Sequence, residues 1–284
     1  MTPRLGLTFH RTFSLVRPAV SQVVQLAVSI RQSSIEGPGF TRELIRERTN
    51  LGSIYVEAMP RYARGSGLLD DRNRLTPFGY SASQADKGLE SLDTQWLMHY
   101  FMSASTGPGP LFWHELCATR FRVGNRFTRQ EIADDIATLY KATEGKSVSA
   151  SALKSTTTIF LGTYTKSDGL GNLGILYQDD DHYVVTQPDA PSPWVVGYAL
   201  IDDWERRYPG RLSINLDDLS DARGLASPFM LDEDTLLTAL ISLQRAGVVD
   251  LYRSARPYQL LLLAHDRQIM LRRVYGVDDS YPTA

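Results

Sequence analysis

Hydrophobic positions recur at helical spacing through much of the chain, and short breaker segments separate the runs. The first run predicts an amphipathic helix over about residues 13–30. Its apolar face comprises Val16, Val20, Val23, Val24 and Ala27. Pro18 lies early in this pattern, where a proline is tolerated in the first turn of a helix. The segment SSIEGPG then separates this helix from the next elements.

The stretch from Phe40 to Gly79 has the order helix, tight turn, helix and hairpin. Thr41 is placed to cap a short helix in FTRELIRERTN, and Ser53 is placed to cap a second helix after a turn at residues 51–52. Two apolar runs in GLLDDRNRLTPFG flank a polar tip at residues 70–73, which indicates a two-stranded wing. This order is typical of a winged helix-turn-helix, a module that usually reads DNA.

The same order of elements occurs twice more, although sequence identity among the copies is slight. A polar connector over residues 81–93 leads to a helix capped at Asp93 and then to a short aromatic-rich helix, LFWHELCATRF. A second unit follows, with FTRQEIADDIATLYKATEG, a serine-capped SVSASALKSTTTIFLGTYTK and a hairpin in GILYQDDDHYVVTQP. A third contains an amphipathic helix over residues 232–246 and a hairpin made by VVDLYR and YQLLLLA.

We therefore predict a mainly α-helical protein of the α+β class with short β-hairpins, built from tandem winged helix-turn-helix-like units. Residues 1–92 would hold the N-terminal helix and the first unit. Residues 93–190 would hold a helical linker and the second unit, and residues 191–284 an acidic third unit.

Composition places the chain among ordinary globular proteins, with 284 residues of which 43% are hydrophobic and 22% charged. Its apolar runs are too short for a membrane span, and the N-terminus lacks the pattern of a signal peptide. The single cysteine, Cys117, excludes an intramolecular disulfide and a cysteine-based zinc finger. We expect a cytoplasmic location.

The formal net charge is only −2, but charge is unevenly distributed along the chain. Residues 1–74 hold eleven Lys/Arg against six Asp/Glu, whereas residues 167–250 hold five against fifteen. Such asymmetry suggests that the N-terminal half faces an anionic partner. The alternative is that the acidic residues simply occupy exposed helix faces.

Arginine and hydroxyl side chains on the first two units are of the types that contact phosphate oxygens and base edges. The predicted DNA contacts of the first unit are Arg42, Arg46, Arg48, Ser53, Tyr55, Arg61, Arg64, Arg72 and Arg74. Those of the second unit are Arg126, Arg129, Ser149, Ser151 and Lys154. The alternative is that these arginines pair with neighbouring acids such as Glu57 and Asp70 on a solvated face.

We find no catalytic constellation in the sequence and expect no cofactor and no metal. Residues 169–174 match G-x-G-x-x-G, but a helix precedes them and a hairpin follows, so we interpret them as a flexible turn. Asp179–Asp181 and His182 are interpreted as an exposed turn rather than a metal site. His114 and Cys117 lie three residues apart on a helix, but aromatic neighbours suit a buried structural cysteine.

Several short motifs follow one another in the order found in a known bacterial family. They are FHRTF at residues 9–13 with Arg17, ARGSGLL at 63–69, LTPFG at 75–79, TQWLMHY at 94–100, FTRQE at 127–131, ALIDDWE at 199–205, PGR at 209–211 and LDED at 231–234. The chain thus resembles domain of unknown function 4007 over almost its whole length. It departs from the family pattern at residues 18–20, where PAV replaces GWL, and at residues 52–54, where GSI replaces GKN.

Members of that family often lie beside DNA phosphorothioation genes, including one for a PAPS-reductase-like enzyme, in islands that act against phage. The resemblance therefore implies an accessory protein of DNA modification or defence, without a settled biochemical role. Together with the winged-helix interpretation, it leads us to expect a non-catalytic DNA-binding protein that recruits or regulates a partner enzyme. The expected partners are double-stranded DNA and a modification or defence enzyme of the same system, and a homodimer is left open.

The alternative is a protein-interaction scaffold of the same system that does not contact DNA. The acidic overall balance and the missing cation at Ser53 favour this alternative. In the acidic, leucine-rich third unit, Trp194, Trp204 and Tyr208 would either anchor a partner or fill the core.

Overall fold

The computed structural model describes residues 4–33, 39–221 and 224–277, and the chain divides into two compact units. Unit 1 comprises Met1–Ser103 with Gly107–Asp189, and unit 2 comprises Ala104–Thr106 with Ala190–Ala284. Each unit combines helices with a three-stranded antiparallel sheet, so the predicted α+β class is confirmed. The division into three domains stays a prediction. No helix in the described ranges has the length and apolar character needed to cross a membrane.

The first part of unit 1 is helical. Its helices are α1 (Arg17–Ser33), α2 (Arg42–Arg48), α3 (Tyr55–Gly65), α4 (Pro77–Ala85) and α5 (Leu92–Ser103). Helix α1 lies against α2, α3 and α4 through the predicted stripe, in which Val20, Val23 and Val24 are buried. The helix begins at Arg17 rather than near residue 13, and Pro18 lies in its first turn, where a proline favours the start of a helix.

The predicted two-stranded wing of the first unit is wrong. It reduces to one antiparallel bridge between Leu69 and Leu75. The Asp70 carboxylate accepts hydrogen bonds from the backbone N–H groups of Arg72 and Arg74, which closes a tight loop. The chain then enters α4, because the Thr76 hydroxyl caps the helix and Pro77 occupies its first position.

Three smaller predictions at helix boundaries are also corrected. Ser53 does not cap α3, because the following residue, Ile54, already has helical dihedral angles and α3 begins at Tyr55. Asp93 lies inside the first turn of α5, which begins one residue earlier. The predicted polar connector over residues 81–93 includes the second half of α4.

The second part of unit 1 places two long helices beside the first sheet. Its elements are α6 (Leu111–Arg120), β1 (Arg126–Thr128), α7 (Arg129–Glu144), α8 (Ala150–Thr165), a 3₁₀ turn (Gly171–Leu173), β2 (Leu176–Asp179) and β3 (His182–Val185). The strands are antiparallel in the order β1–β3–β2, with Phe127 opposite Tyr183. Thr128 and Glu131 form a capping box on α7, and Ser149 caps α8, which confirms the predicted serine cap.

The glycine-rich segment after α8 is a turn, as predicted, and its first residues form a packed corner. Gly169 and Leu170 are buried. A Cβ atom at Gly169 would lie 2.6 Å from the carbonyl oxygen of Thr163, so only glycine fits the close approach of the backbone. The predicted context holds, since α8 precedes the segment and the β2–β3 hairpin follows it.

Unit 2 repeats the order of helix, strand, helices and hairpin. Its elements are α9 (Pro193–Arg207), β4 (Ser213–Asn215), α10 (Asp217–Ser220), α11 (Ala226–Phe229), α12 (Glu233–Arg245), β5 (Val249–Tyr252), β6 (Gln259–Leu262) and α13 (Arg267–Val274). The sheet order is β4–β6–β5, and α9 lies against α12 and α13. The predicted helix over residues 232–246 is confirmed, with Asp232 as its N-cap and Leu236, Leu240 and Leu243 buried.

Arg17 ties three segments of unit 1 together from the first turn of α1. Its guanidinium is buried and donates to the carbonyl oxygens of Leu89 at 2.7 Å, Ser167 at 2.5 Å and Gly169 at 2.6 Å. Its own backbone N–H donates to the carbonyl of Asp168. Burial lowers the pKa of Arg17, and nearby carboxylates, Glu90 first among them, oppose this effect. The side chain therefore fixes the position of α1 relative to the corners that precede α5 and follow α8.

We predict that Arg17→Ala lowers the free energy of unfolding by about 3 kcal/mol, because it removes charge-assisted hydrogen bonds and leaves buried carbonyl groups without donors. Urea unfolding followed by circular dichroism measures the change. Lys87→Ala, at an exposed position of the same unit, is the control and should change stability by less than about 0.5 kcal/mol. An unfolding midpoint for Arg17→Ala equal to that of the control would contradict the structural role.

Candidate nucleic-acid interface

A cationic pocket lies between α2, α3 and the loop after α3. It has a volume of about 270 Å³. Its charged and amide side chains are Arg11, Arg42, Glu57, Arg61, Arg64 and Asn73, and apolar side chains close its sides. We call it the arginine pocket. It therefore gathers four arginines around one glutamate.

The single carboxylate of the arginine pocket is shared by two guanidinium groups. Glu57 pairs with Arg11 at 3.1 Å through one oxygen and with Arg42 through the other. Arg61 instead donates to the carbonyl oxygen of Phe9 at 3.2 Å. Nε of Arg64 is buried and has no hydrogen-bond partner in the described part of the protein. The positive charge at Arg61 and Arg64 is thus less compensated than that at Arg11 and Arg42.

Electrostatics in the pocket oppose the charged state of two arginines. Burial lowers the pKa of Arg64, and the positive charge of Arg61 lowers it further against a weaker opposite effect of Asp71. Burial also lowers the pKa of Arg61, and repulsion from Arg11 adds to the effect. These groups remain cations at neutral pH, since a guanidinium does not deprotonate in proteins. An anion in the pocket would therefore relieve mutual repulsion.

The other predicted contacts of the first unit divide into exposed and engaged side chains. Arg46, Arg48, Ser53 and Arg72 are exposed. Arg74 forms an ion pair with Asp70 at 2.7 Å. The ring of Tyr55 packs on that of Phe13, with centroids 4.6 Å apart. Arg74 and Tyr55 thus already have intramolecular partners. For Arg74 this agrees with the alternative that the arginines pair with neighbouring acids.

The N-terminal part of α8 and the adjacent start of α7 form a second candidate surface. Lys154 and Ser151 are exposed on α8, and Ser149 caps the helix while its hydroxyl lies 3.2 Å from that of Ser151. Arg129, at the start of α7, donates to the hydroxyl of Thr158 on α8 at 3.4 Å. We call these five residues the α8 face. It presents cations and hydroxyl groups together.

Arg126 does not extend the α8 face as a free cation. It pairs with Asp179 at 3.2 Å across the hairpin. Arg120, which the sequence places nearby, is held by two hydrogen bonds to Asp135, at 2.6 and 2.9 Å. Both pairs join residues that are too far apart in sequence for a helical spacing rule, so no local sequence pattern predicts them.

The segment 9–13 connects the arginine pocket to α8. His10 Nε2 lies 3.1 Å from the hydroxyl of Thr156 on α8, while His10 Nδ1 accepts the backbone N–H of Thr12. Arg11 and Thr12 have φ values of 49° and 73°. This conformation is uncommon for residues other than glycine, and the His10 bonds stabilise it. Sequence reasoning missed Arg11 as a pocket residue, although FHRTF carried part of the family resemblance.

Comparison with known proteins assigns the family. A family model described as protein of unknown function (DUF4007) matches residues 29–275. The chain belongs to this family. No curated protein sequence matches the chain.

Two solved structures share the fold over nearly the whole chain. One, "Magnesium ion-bound SspB crystal structure", superposes with a TM-score of 0.80 at 15% identity and covers 99% of this chain and 92% of its own. The other, "SspB crystal structure", gives a TM-score of 0.77 at 17% identity, with coverage of 99% and 91%. At sequence identities this low, the structural similarity establishes the fold. It supports the order of helices and strands described above.

Unit 2 presents a different surface from unit 1. Asp232, Glu233 and Asp234 are exposed at the start of α12. Trp204 is buried, and its indole N–H donates to the carbonyl oxygen of Arg211, so it belongs to the core. Trp194 is half-buried beneath the guanidinium of Arg273. Trp204 therefore fills the core and cannot anchor a partner protein.

The histidine and cysteine of α6 are structural. His114 Nδ1 lies 2.8 Å from the carbonyl oxygen of Ser103, and Cys117 is buried with its sulfur 3.7 Å from the hydroxyl of Tyr164. That hydroxyl also accepts the indole N–H of Trp113 at 2.7 Å and lies 2.8 Å from His99 Nδ1. The aromatic environment expected for Cys117 is present.

We predict that Cys117 does not react with a thiol reagent such as DTNB in the native state. Burial raises the pKa of the Cys117 thiol, and only the thiolate is nucleophilic. The reaction should reach one equivalent per chain after unfolding in guanidinium chloride. Stoichiometric labelling of the native protein within minutes would contradict this assignment.

We predict that His10 makes stability depend on pH in mild acid. Burial lowers the pKa of His10 to about 4 from its ordinary value of 6.5. Between these values the unfolded chain binds more protons than the folded one, so stability rises with pH through this window and is lost as the pH falls. From pH 7 to pH 4, wild type should lose on the order of 2 kcal/mol more than His10→Gln. Identical losses, measured by urea unfolding, would contradict this assignment.

Proposed function

We propose that this protein is a non-catalytic DNA-binding accessory protein of a phosphorothioation-type DNA-modification or anti-phage defence system. It would engage DNA through unit 1 and recruit or regulate a partner enzyme through unit 2. The family context supports the system, and the surfaces of the two units support the division of roles.

The order of elements in unit 1 supports a winged helix-turn-helix around α8. Helix α6, strand β1, helices α7 and α8, and the β2–β3 hairpin follow one another, and β1 pairs with β3. In such modules the second helix of the pair enters the major groove and the hairpin lies beside it as the wing. Helix α8 would then be the recognition helix, and β2–β3 the wing.

The positive charge of the α8 face is the main observation that supports the proposal. Lys154 and Arg129 are exposed, and neither has an ion-pair partner in the described part of the chain. The serine hydroxyls at the start of the helix and its N-terminal backbone N–H groups are suited to phosphate oxygens. Arg46 and Arg48 on α2 and Arg72 after α3 are further exposed cations of the same unit.

Unit 2 has the same order of elements but a surface unsuited to DNA. The acidic residues at the start of α12, the helix equivalent in order to α8, would repel phosphates. Leu212 and Leu263 are 69% and 51% exposed, at the same end of the β4–β6 pair. Two exposed leucines at one end of the sheet, beside its edge strand β4, favour a protein partner, such as the PAPS-reductase-like enzyme expected from the family context.

The similarity to magnesium ion-bound SspB raises the question of a metal in this protein. Within residues 4–33, 39–221 and 224–277, no three or more His, Cys, Asp or Glu side chains group so as to hold a metal ion. Asp202, the most buried of the aspartates, is paired with Arg206 and Arg267. We therefore assign no step to a metal.

Fluorescence anisotropy on a short labelled DNA duplex, titrated with salt, tests the DNA role. Wild type should bind with an affinity that falls steeply with salt, because phosphate contacts release counterions. Arg129→Gln/Lys154→Gln should weaken binding at least about tenfold and reduce the slope of log K against log salt by about 2.

Lys87→Gln is the matched control, since it removes an exposed charge of unit 1 that is not part of the α8 face. It should leave affinity and slope nearly unchanged. Failure of wild type to bind duplex at low salt would overturn the DNA role and favour the interaction scaffold. Equal losses in control and double variant would mean that the α8 face is not the contact surface.

A further inference from the structure

We propose that the arginine pocket binds a phosphate group that is not part of a continuous phosphodiester backbone, either inorganic phosphate or the terminal phosphate of a nucleic-acid strand. This inference builds on the proposed DNA role but concerns a separate site, at α2 and α3 rather than at α8.

The charge balance of the pocket selects an anion. Four guanidinium groups face one carboxylate, and both oxygens of Glu57 are already engaged by Arg11 and Arg42. Arg61 and Arg64 are left without a carboxylate partner within hydrogen-bonding distance in the described residues. Guanidinium groups match the oxygens of a phosphate geometrically, since they can donate two parallel hydrogen bonds.

Two polar atoms of pocket residues are enclosed without a hydrogen-bond partner in the described structure. Nε of Arg64 is a donor and Oδ1 of Asn73 an acceptor, and neither has a partner in the described structure. The orientation of the Asn73 amide is fixed, because its Nδ2 donates to the carbonyl oxygen of Phe40 at 3.3 Å. Buried polar atoms are otherwise nearly always satisfied in native proteins.

A phosphate monoester or free phosphate fits the pocket better than an internal phosphodiester. Its second ionisation has a pKa near 6, so it carries nearly two negative charges at neutral pH, and the guanidinium groups around it favour the dianion further. Two charges match Arg61 and Arg64, which have no carboxylate partner within hydrogen-bonding distance in the described residues. A diester in the backbone of DNA carries only one negative charge.

The size of the pocket leads to the same choice. Its volume of about 270 Å³ is at the lower limit of small-ligand pockets. It holds a phosphate and the atoms next to it, whereas a DNA duplex can only pass across the opening. A terminal phosphate can project inward from a strand end.

Isothermal titration calorimetry of the full chain with sodium phosphate, at constant ionic strength, tests the site. Saturable binding to wild type is expected, together with at least tenfold weaker binding to Arg64→Gln. Arg61→Gln is a second variant in case Arg64→Gln does not fold, and circular dichroism checks both. Lys87→Gln, which removes an exposed charge of unit 1 outside the pocket, is the control and should bind as wild type does.

Two single-stranded oligonucleotides of the same sequence, with and without a 5′-phosphate, distinguish the sources. If the strand end is the ligand, the phosphate should strengthen binding at least tenfold in wild type and not in Arg64→Gln. If inorganic phosphate binds but the 5′-phosphate adds nothing, the pocket is a site for the free anion, which also supports the inference.

Absence of saturable phosphate binding to wild type would overturn the inference, and so would equal binding to wild type and Arg64→Gln. This result is independent of the DNA role. Arg129→Gln/Lys154→Gln changes the α8 face alone, so loss of duplex binding there with retained phosphate binding separates the two proposals.

Discussion

The placement of α1 depends on one buried guanidinium. The guanidinium of Arg17 donates three hydrogen bonds to backbone carbonyls, in the turn before α5 and in the corner after α8. Those carbonyls belong to segments distant in sequence, so one helix or strand could not supply a hydrogen-bond donor to all of them. Since α1 in turn supports α2 and α3, the position of the arginine pocket depends on this residue even though Arg17 is not part of it.

The sequence predicted most helices and hairpins, because their determinants are local. Thr128, Ser149 and Asp232 each accept the backbone N–H of the residue three positions later, as a cap requires. The first wing failed for a local reason as well, since Thr76 and Pro77 together favour the start of a helix over a second strand. Apolar spacing alone does not distinguish these two outcomes, whereas the pair of capping residues does.

The sequence predicted which types of residue form the candidate site but not how their charges are paired. Sequence indicated arginines on α2, α3 and the start of α7, but it did not reveal which ones have acidic partners. Arg126 pairs with Asp179 and Arg11 with Glu57, each across more than forty residues of sequence. The net cationic character of a surface is therefore decided by the fold, through pairings that no helical spacing rule describes.

Arg17 is buried, whereas Arg64 is partly buried with an enclosed Nε, and the two side chains have different roles. Removing a guanidinium from water is costly unless hydrogen bonds replace those with solvent. Arg17 meets this condition within the protein, so its burial is explained by structure alone. Arg64 does not, since its Nε lacks a partner in the described structure and its neighbour Arg61 repels it. A fold gains no stability from such an arrangement, and a bound anion would provide the missing compensation. We therefore interpret the arginine pocket as a binding site and Arg17 as a structural residue.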